Sequence, residues 1–457
     1  MAELLILSDD FTGALDTGVQ FAQRGIRTLV SSLGGSRRGG RPAGTGLAEP
    51  EVLVINTESR HVQAAEAARR IRDAVARWAG VGRLGGPDLR IYKKTDSLLR
   101  GNVGSELEAL MEATSRSALA FVPAFPQTGR TTVRGVQYLE GVPIHKTVLA
   151  SDRLNPITTS HVPSIAVCDT RGLETRLIEI DRVREGAFPP AAHFRTERRT
   201  VFVFDAQTDR DLARVASFLA QEDLLGLTAG CAGFAGALPD ALELSTGNPE
   251  QATLAPPLLV LSGSTTDLSR RQLALAEKRG FRRKSLGLEE KLQPGIHQTP
   301  SGRRLIRALA HDLRQGRHCI LTTGESDPAE EKRAAGRTGV PAARIPSVIA
   351  RNLAHVTKGV LETLGVREPN GAGDVSRPHG LNTLVILGGD TTMALLEALD
   401  CGPLAPKQQI LPGVPVSAIE HLGISLVTKS GGFGSEDVLL EIAELCGPAK
   451  SDRKGRR

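Results

Sequence analysis

Aromatic side chains make up only 3% of this 457-residue chain, too few to build the stacking platforms that grip single-stranded nucleic acid. Cysteine is sparse as well. Cys168, Cys231, Cys319, Cys401 and Cys446 are odd in number, widely spaced and never arranged as CxxC, a pattern that favours reduced, buried thiols in a cytosolic protein. No apolar run approaches the length of a bilayer span. The opening MAELLILSDD runs straight into a strand without the basic start of a leader peptide. A cytoplasmic protein without a membrane partner is expected. Two nucleotide signatures are missing too: neither GxxxxGK followed by Ser or Thr nor GxGxxG occurs, so neither a P-loop nor a dinucleotide fingerprint is supported.

What is present is ordinary globular material, 40% hydrophobic and 24% charged, in a chain long enough for two or three domains. The net charge of +6 derives partly from Arg37, Arg38 and Arg41 in a glycine-rich loop and from the stretch Lys450 to Arg457, clusters that usually form solvated surface. A positive balance suits anionic metabolites. No motif that reads nucleic acid accompanies it.

The stretch YKKTDSLLRGNVGSELE, Tyr92 to Glu108, places two lysines, an aspartate, hydroxyls and an arginine between a short strand at Leu89 to Tyr92 and an amphipathic helix from Val103. In an α/β sheet that turn is where a ligand sits. Lys93, Lys94 and Arg100, with free N–H groups at a helix start, favour a carboxylate or phosphate. Thr95 and Ser97 add hydroxyls. Asp96 among these cations is either a salt-bridged cap or a working carboxylate.

Three further strand exits in the first 135 residues are equally polar. Leu4 to Leu7 ends in Ser8-Asp9-Asp10 before a helix to about Arg24. One aspartate can cap that helix; the other is free to orient a hydroxyl or hold a hard cation through water. Asp16 lies near the same helix start, where it would support the site or face solvent. Glu51 to Ile55 ends in Asn56 to Arg60, and Arg60 could clamp a carboxylate bidentately or make a surface ion pair. Leu119 to Val122 ends in Pro123 to Arg134. Repeated strand, polar turn and helix predict a mostly parallel, doubly wound sheet with all four exits at one edge.

Phe125 to Ile157 carries glycines and β-branched residues at hairpin spacing, an antiparallel excursion expected to cover the cleft. Strands near Ile165 to Cys168, Val201 to Phe204 and Gly226 to Thr228 are expected to alternate with helices near Leu173 to Arg184 and Asp209 to Ala220. A boundary near Ala255 separates a first domain, 1–250, from a second α/β domain, 255–446, followed by a basic disordered tail, 447–457. In the second domain, Leu258 to Leu261 leads into Ser262-Gly263-Ser264-Thr265-Thr266. His318 to Thr322 is the next expected strand. Asn382 to Leu387 leads into Gly388-Gly389-Asp390-Thr391, and Ile424 to Thr428 into Lys429-Ser430-Gly431-Gly432. Small-residue turns at strand exits let a polyphosphate approach the backbone. Gly371-Ala372-Gly373-Asp374 matches a sugar-kinase turn in letters, but Val375-Ser376-Arg377-Pro378 cannot begin the helix that turn requires, so Asp374 is read as loop surface.

Seven motifs in order, SDDFTGALDTGVQFAQRG, VINTESR, YKKTDSLLRGNVGSELEAL, PAFPQTGRTTVRG, EGVPI, LGGDTTMALLEAL and VTKSGGFGSEDVLL, resemble the four-carbon acid sugar kinase family over about residues 4 to 445. The run Asp16 to Gln20 is more like its threonate branch. The resemblance implies an ATP-dependent enzyme, with Mg2+, that phosphorylates the terminal hydroxyl of a four-carbon sugar acid, D-threonate foremost and 3-oxo-tetronate or D-erythronate as alternatives. It implies an acid-sugar-binding first domain, a nucleotide-binding second domain and an active-site cleft between them. Carried over by position, Asp10, Arg60, Lys94, Thr95 and Asp96 match acid-sugar contacts, while Ser264, Gly388, Gly389, Asp390, Thr391 and Gly431 match nucleotide contacts. Leu98 replaces a common threonine and Thr266 a frequent serine. The segments 34–50 and 367–380 look like insertions. One of Asp9, Asp10 or Asp96 would serve as the base, the choice staying open. The rival readings are a phosphatase, a kinase for another polyhydroxy acid, or a nucleotide and sugar-acid sensor without turnover. A homodimer is compatible with the sequence.

Overall fold

The structure is a computed structural model that describes residues 3–33, 50–78, 90–151, 155–264, 266–324, 326–366 and 381–447. The chain divides into two compact units, Met1–Glu250 and Gln251–Arg457.

In the first unit the strands are β1 (Leu4–Ser8), β2 (Thr28–Ser32), β3 (Val52–Asn56), β4 (Arg90–Lys94), β5 (Ala118–Val122), β6 (Arg130–Val133), β7 (Val136–Leu139), β8 (Val142–Pro143), β9 (Glu174–Ile178), β10 (Thr200–Phe204) and β11 (Leu227–Gly230). The helices are α1 (Phe11–Ala22), α2 (Ala64–Trp78), α3 (Val103–Ala113), α4 (Val162–Ala166), α5 (Ile180–Glu185), α6 (Asp209–Gln221), α7 (Ala232–Ala235) and α8 (Leu238–Ala241). Eight strands form one sheet in the order β2-β3-β1-β4-β11-β5-β10-β9, with every pairing parallel. Apolar runs such as Leu4–Leu7 are buried to within 2%, as expected of strands covered on both faces. The chain leaves β1 toward β2 on one side and leaves β4 toward β5 on the other. Right-handed crossovers therefore open a crevice at the carboxyl ends of β1 and β4.

All twelve residues of α1 are buried, which accounts for its small, apolar composition and the absence of a charged face. A three-stranded antiparallel sheet, β6-β7-β8, interrupts the α/β repeat where the glycine spacing anticipates it. The residues around Cys168 depart from expectation. Val162–Ala166 is a short helix with proline in its first turn, a position that tolerates proline, and the expected helix near Leu173 is instead β9 followed by α5. The edge strand β9, ETRLI, is only partly covered, so its polar residues hide the strand signal.

The second unit contains β12 (Leu258–Ser262), β13 (Arg282–Leu286), β14 (Cys319–Thr323), β15 (Thr383–Leu387), β16 (Ala405–Leu411), β17 (Val414–Ile419) and β18 (Ile424–Lys429). Its helices are α9 (Asp267–Lys278), α10 (Leu288–Leu292), α11 (Pro300–Arg314), α12 (Pro328–Arg337), α13 (Ile345–Leu364), α14 (Gly389–Ala398) and α15 (Val438–Leu445). The sheet runs β13-β14-β12-β15-β18-β17-β16. Its first five strands are parallel and the last two antiparallel. Leu258, Val260, Leu273, Val385, Val427, Leu439 and Ile442 share one of its cores. Both units are thus α/β with mostly parallel sheets. Three of its strands are not anticipated, β13, whose sequence RRKSL is largely polar, and both strands of the hairpin β16–β17 at the opposite edge; nor are the helices α10, α11 and α12.

Asp374, both segments 34–49 and 367–380, and the tail 448–457 lie outside the described residues. The cysteines are free, but Cys168 is exposed and Cys401 half-buried, which corrects the expectation that all five are buried. No helix among the described residues is long and apolar enough to cross a membrane.

Candidate active site

Register fixes the geometry of the first unit. Ser8 stands opposite Asn56 and Lys94, and Gly230 opposite Lys94 and Val122, so the strand exits reach the same edge. Backbone bonds then tie the outgoing turns together. Thr57 N–H donates to Ser8 at 2.8 Å, Ser59 and Arg60 N–H donate to Asp9 at 3.1 and 3.3 Å, and Thr95 N–H donates to Gly230 at 2.7 Å.

Within this frame the acids and bases are paired. Asp10 caps α1, accepting from Gly13 N–H at 3.0 Å and from the Thr12 hydroxyl at 2.6 Å. Asp9 is not a second cap; Arg60 grips it through Nε and Nη2 at 2.7 and 3.1 Å. The same Nη2 reaches Asp10 at 2.7 Å and lies 3.5 Å from Asp96. Arg60 is therefore neither a surface ion pair nor an idle clamp; it is the hub of three carboxylates. Asp96 also takes Arg100 bidentately, at 2.7 and 3.0 Å. It accepts from the Leu98 and Arg100 N–H groups at 3.3 Å, so it is salt-bridged as expected but braces its own turn rather than capping a helix, because α3 starts only at Val103 with Asn102 before it.

Burial would raise the pKa of Asp9, but Arg60, Lys93 and Lys94 override it and hold the carboxyl below its usual range. For Asp96, burial is likewise outweighed by Arg100 and Arg60, and its pKa lies far below that of an ordinary aspartate. Burial opposes the charge of Arg60, yet Asp10, Asp9 and Asp96 raise its pKa well above normal.

Lys94 is buried and its ammonium donates to Thr95 O at 2.7 Å. A Cβ on Gly13 would stand 2.9 Å from that nitrogen and 2.4 Å from Asp10 Oδ1, so only glycine lets helix and lysine approach this closely. Lys93 points elsewhere, to Glu106 at 3.1 Å, with both side chains buried. Thr95 and Ser97 are buried beside these groups. Leu99 holds φ at 59°, in the left-handed region, a strain characteristic of loops fixed by their surroundings.

One contributor escaped the sequence reading. Gln137 on β7 donates to Ser97 O and Pro123 O at 3.1 and 3.2 Å, fastening the small sheet to the charged turn; a lone glutamine in a hairpin gives no such signal. For Asp16, the solvent-facing alternative is excluded, and among the described residues it has no ion pair. It is 7% exposed, its Oδ1 has no hydrogen-bond partner, and burial pushes its pKa up to about 6.

In the second unit, Ser262 aligns with Thr322 and Leu387, and Leu387 with Lys429, so the small-residue turns again share an edge. Gly388 adopts φ 114° and its N–H donates to Lys429 O at 3.0 Å. Thr266 caps α9 and donates to Gly431 O at 2.9 Å. A Cβ on Gly431 would meet Ser264 Oγ at 2.7 Å, and one on Gly263 would meet Thr391 Oγ1 at 2.4 Å. The structure thus brings Ser264, Gly388 and Gly431 together, with Gly389, Asp390 and Thr391 as the first turn of α14. Backbone N–H groups at that helix start suit phosphate oxygens. Beneath them Lys429, 1% exposed, donates to Ser430 O and Phe433 O at 2.9 Å. Burial lowers its pKa to about 7.

Both units match known protein families. Residues 4–238 match the family described as a sugar-binding N-terminal domain, and residues 259–439 the nucleotide-binding C-terminal domain. The chain belongs to the four-carbon acid sugar kinase family. Among curated members of this family, it is 30% identical to the D-threonate kinase of Salmonella typhimurium over 442 residues, covering 96% of this chain and 97% of that protein. Against the 3-oxo-tetronate kinase of Burkholderia multivorans identity is 28%, over 94% of each chain. The fold is similar to that of a Haemophilus influenzae crystal structure, with a TM-score of 0.64, 21% identity and coverage of 97% and 100%. As a member of this kinase family the chain is a phosphotransferase acting on an alcohol group.

Proposed function

We propose that this enzyme transfers the γ-phosphoryl group of ATP to the terminal hydroxyl of a four-carbon sugar acid, with D-threonate, giving D-threonate 4-phosphate, as the first candidate. The observation that carries this reading is the in-register gathering of charged turns at one sheet edge of the first unit, matched by a glycine-lined cradle at a sheet edge of the second. The substrate carboxylate is held in the positive field of Arg60, Lys94 and Arg100, and Thr95, Ser97, Asp10 and Asp96 orient its hydroxyls. Ser264, Gly388, Gly389, Asp390, Thr391 and Gly431 hold the nucleotide. Catalysis of this type is positioning plus charge stabilisation.

Among the described residues no group of three or more His, Cys, Asp or Glu side chains could enclose a metal ion. Magnesium bound chiefly by phosphate oxygens needs only one or two protein carboxylates. Asp390, exposed at the start of α14, is the side chain suited to hold it. There the ion would neutralise charge on the β- and γ-phosphates.

D-threonate is preferred because relatives bearing that name reach 31% identity, whereas the 3-oxo-tetronate kinase compared above stands at 28%. An ADP-release assay over D-threonate, D-erythronate, 3-oxo-tetronates and their stereoisomers tests the reading. Turnover highest with D-threonate is expected. A chain that releases no ADP with any tetronate would refute kinase activity on these acids, and a clear preference for another tetronate would reassign the substrate.

A further inference from the structure

Four aspartates surround the charged turns of the first unit, and three are committed. Asp10 caps a helix and meets Arg60, Asp9 is gripped twice by Arg60, and Asp96 is held by Arg100 and Arg60. Asp9 and Asp96, held in their charged form, are poor proton acceptors, and both oxygens of Asp10 are engaged by Thr12, Gly13 and Arg60. The fourth is Asp16. It lies three residues beyond Gly13 on α1, hence on the same face, and that face is the one Lys94 Nζ approaches. Among the described residues no ion pair engages it, and its Oδ1 is buried without a hydrogen-bond partner. Leaving such an oxygen unsatisfied costs about 1–3 kcal/mol, a cost that a substrate hydroxyl would remove.

We infer that Asp16 is the catalytic base: its carboxylate accepts a hydrogen bond from the acceptor hydroxyl of the sugar acid and takes up that proton as phosphoryl transfer proceeds. This rests on the kinase reading above. In the step, the hydroxyl oxygen forms a bond to the γ-phosphorus and the bond from that phosphorus to the β,γ-bridging oxygen breaks. The electron pair leaves with ADP, and the hydroxyl proton passes to Asp16 and then to solvent. The charged or titratable groups facing Asp16 are Lys94 on β4, Asp10 at the cap of its own helix, Arg130 on β6, and Cys231 after β11. Lys94 draws its pKa down and Asp10 pushes it up, while burial dominates and leaves it near 6, between an ordinary aspartate and neutrality. Burial pushes Cys231 up to about 11, so that thiol does not contribute a transition in the same range.

The test is steady-state ADP release by the full-length chain and its Asp16→Asn variant, using the preferred tetronate, between pH 5 and 9. A lost general base lowers turnover by about 10²–10⁴-fold, so kcat should fall at least about 100-fold with KM for both substrates within a few fold. The wild-type kcat profile should show an acid limb near pH 6, and the residual activity of the variant should lack it. Asp16→Asn retaining more than about a tenth of wild-type kcat, or keeping the acid limb, would overturn the role. If the variant does not fold, the wild-type profile decides alone, and a flat kcat from pH 5 to 7 refutes the assignment. A wild-type chain inactive on every tetronate would refute the kinase reading itself, an outcome distinct from an active wild type beside an equally active variant.

Discussion

Replacing Arg60 with methionine would strand largely buried carboxylates. The guanidinium is 8% exposed and Asp9 only 3%, and the substitution deletes two hydrogen bonds to Asp9 and one to Asp10. Breaking a buried ion pair from one side costs about 3–5 kcal/mol. Arg100 still serves Asp96, and Lys93 and Lys94 still act on Asp9, so the lower end, about 3 kcal/mol, is expected at pH 7. The pH dependence follows from the sign of the shifts. In the wild type, Asp9 and Asp96 have folded pKa values below their unfolded ones. Their contribution is present at neutral pH and is lost only as the pH falls through those depressed values. Without Arg60, burial raises Asp9, so the variant regains stability as the pH falls and that carboxyl becomes neutral. Urea unfolding followed by fluorescence of Trp78, the only tryptophan, reads this directly, because Trp78 ends α2 within the first unit. A deficit below about 1 kcal/mol at pH 7, or one that grows between pH 7 and 5, would refute the hub reading of Arg60.

Gly13→Ala places a methyl 2.4 Å from Asp10 Oδ1 and 2.9 Å from Lys94 Nζ. Displacements of about 1 Å at a reacting site cost roughly 100-fold, so kcat/KM for the acid should fall by that order with an unchanged circular dichroism spectrum; full activity would contradict the packing. Gly431→Ala presses on Ser264 Oγ at 2.7 Å and should raise KM for ATP about tenfold, or about 1.4 kcal/mol, leaving KM for the acid alone. Equal effects on both substrates would count against a nucleotide role. Lys429, whose pKa burial lowers to about 7, binds fewer protons folded than unfolded between that pH and its normal value. Wild-type stability should therefore rise relative to Lys429→Met from pH 7 toward 10, by at most about 1.4 kcal/mol per pH unit; parallel stability curves would show that Lys429 is not buried as a strained cation.

The strand exits were legible because apolar runs such as LLIL and LVIL stop abruptly at polar residues, and a parallel sheet forces such stops to one edge. Which exit residue does what was not legible. Adjacent aspartates are indistinguishable as letters, and only the position of Arg60, fifty residues downstream of Asp10, sorts them into cap and ion pair. Asp16 stayed between supporting the site and facing solvent because a carboxylate in mid-helix usually faces water, whereas α1 is buried all round. The edge strands β9 and β13 and the hairpin β16–β17 were missed for the opposite reason. The partly covered edge strands β9, β13 and β16 need no continuous apolar run, which let β9 read as part of a helix, while β17, largely buried, is masked by Pro415 near its start.

The small antiparallel sheet is bolted rather than hinged. Gln137 holds it to the carbonyls of Ser97 and Pro123, and at its other corner Asp205 accepts the N–H groups of Gly135 and Ile180 at 3.0 and 3.1 Å. Because the Gln137 bolt fastens to main-chain carbonyls, the outward rim of β6–β8 is free to drift in sequence while the charged turn beneath keeps its shape. Divergence among relatives that act on different acids has a place to accumulate there without each new preference having to rebuild the ionic foundation.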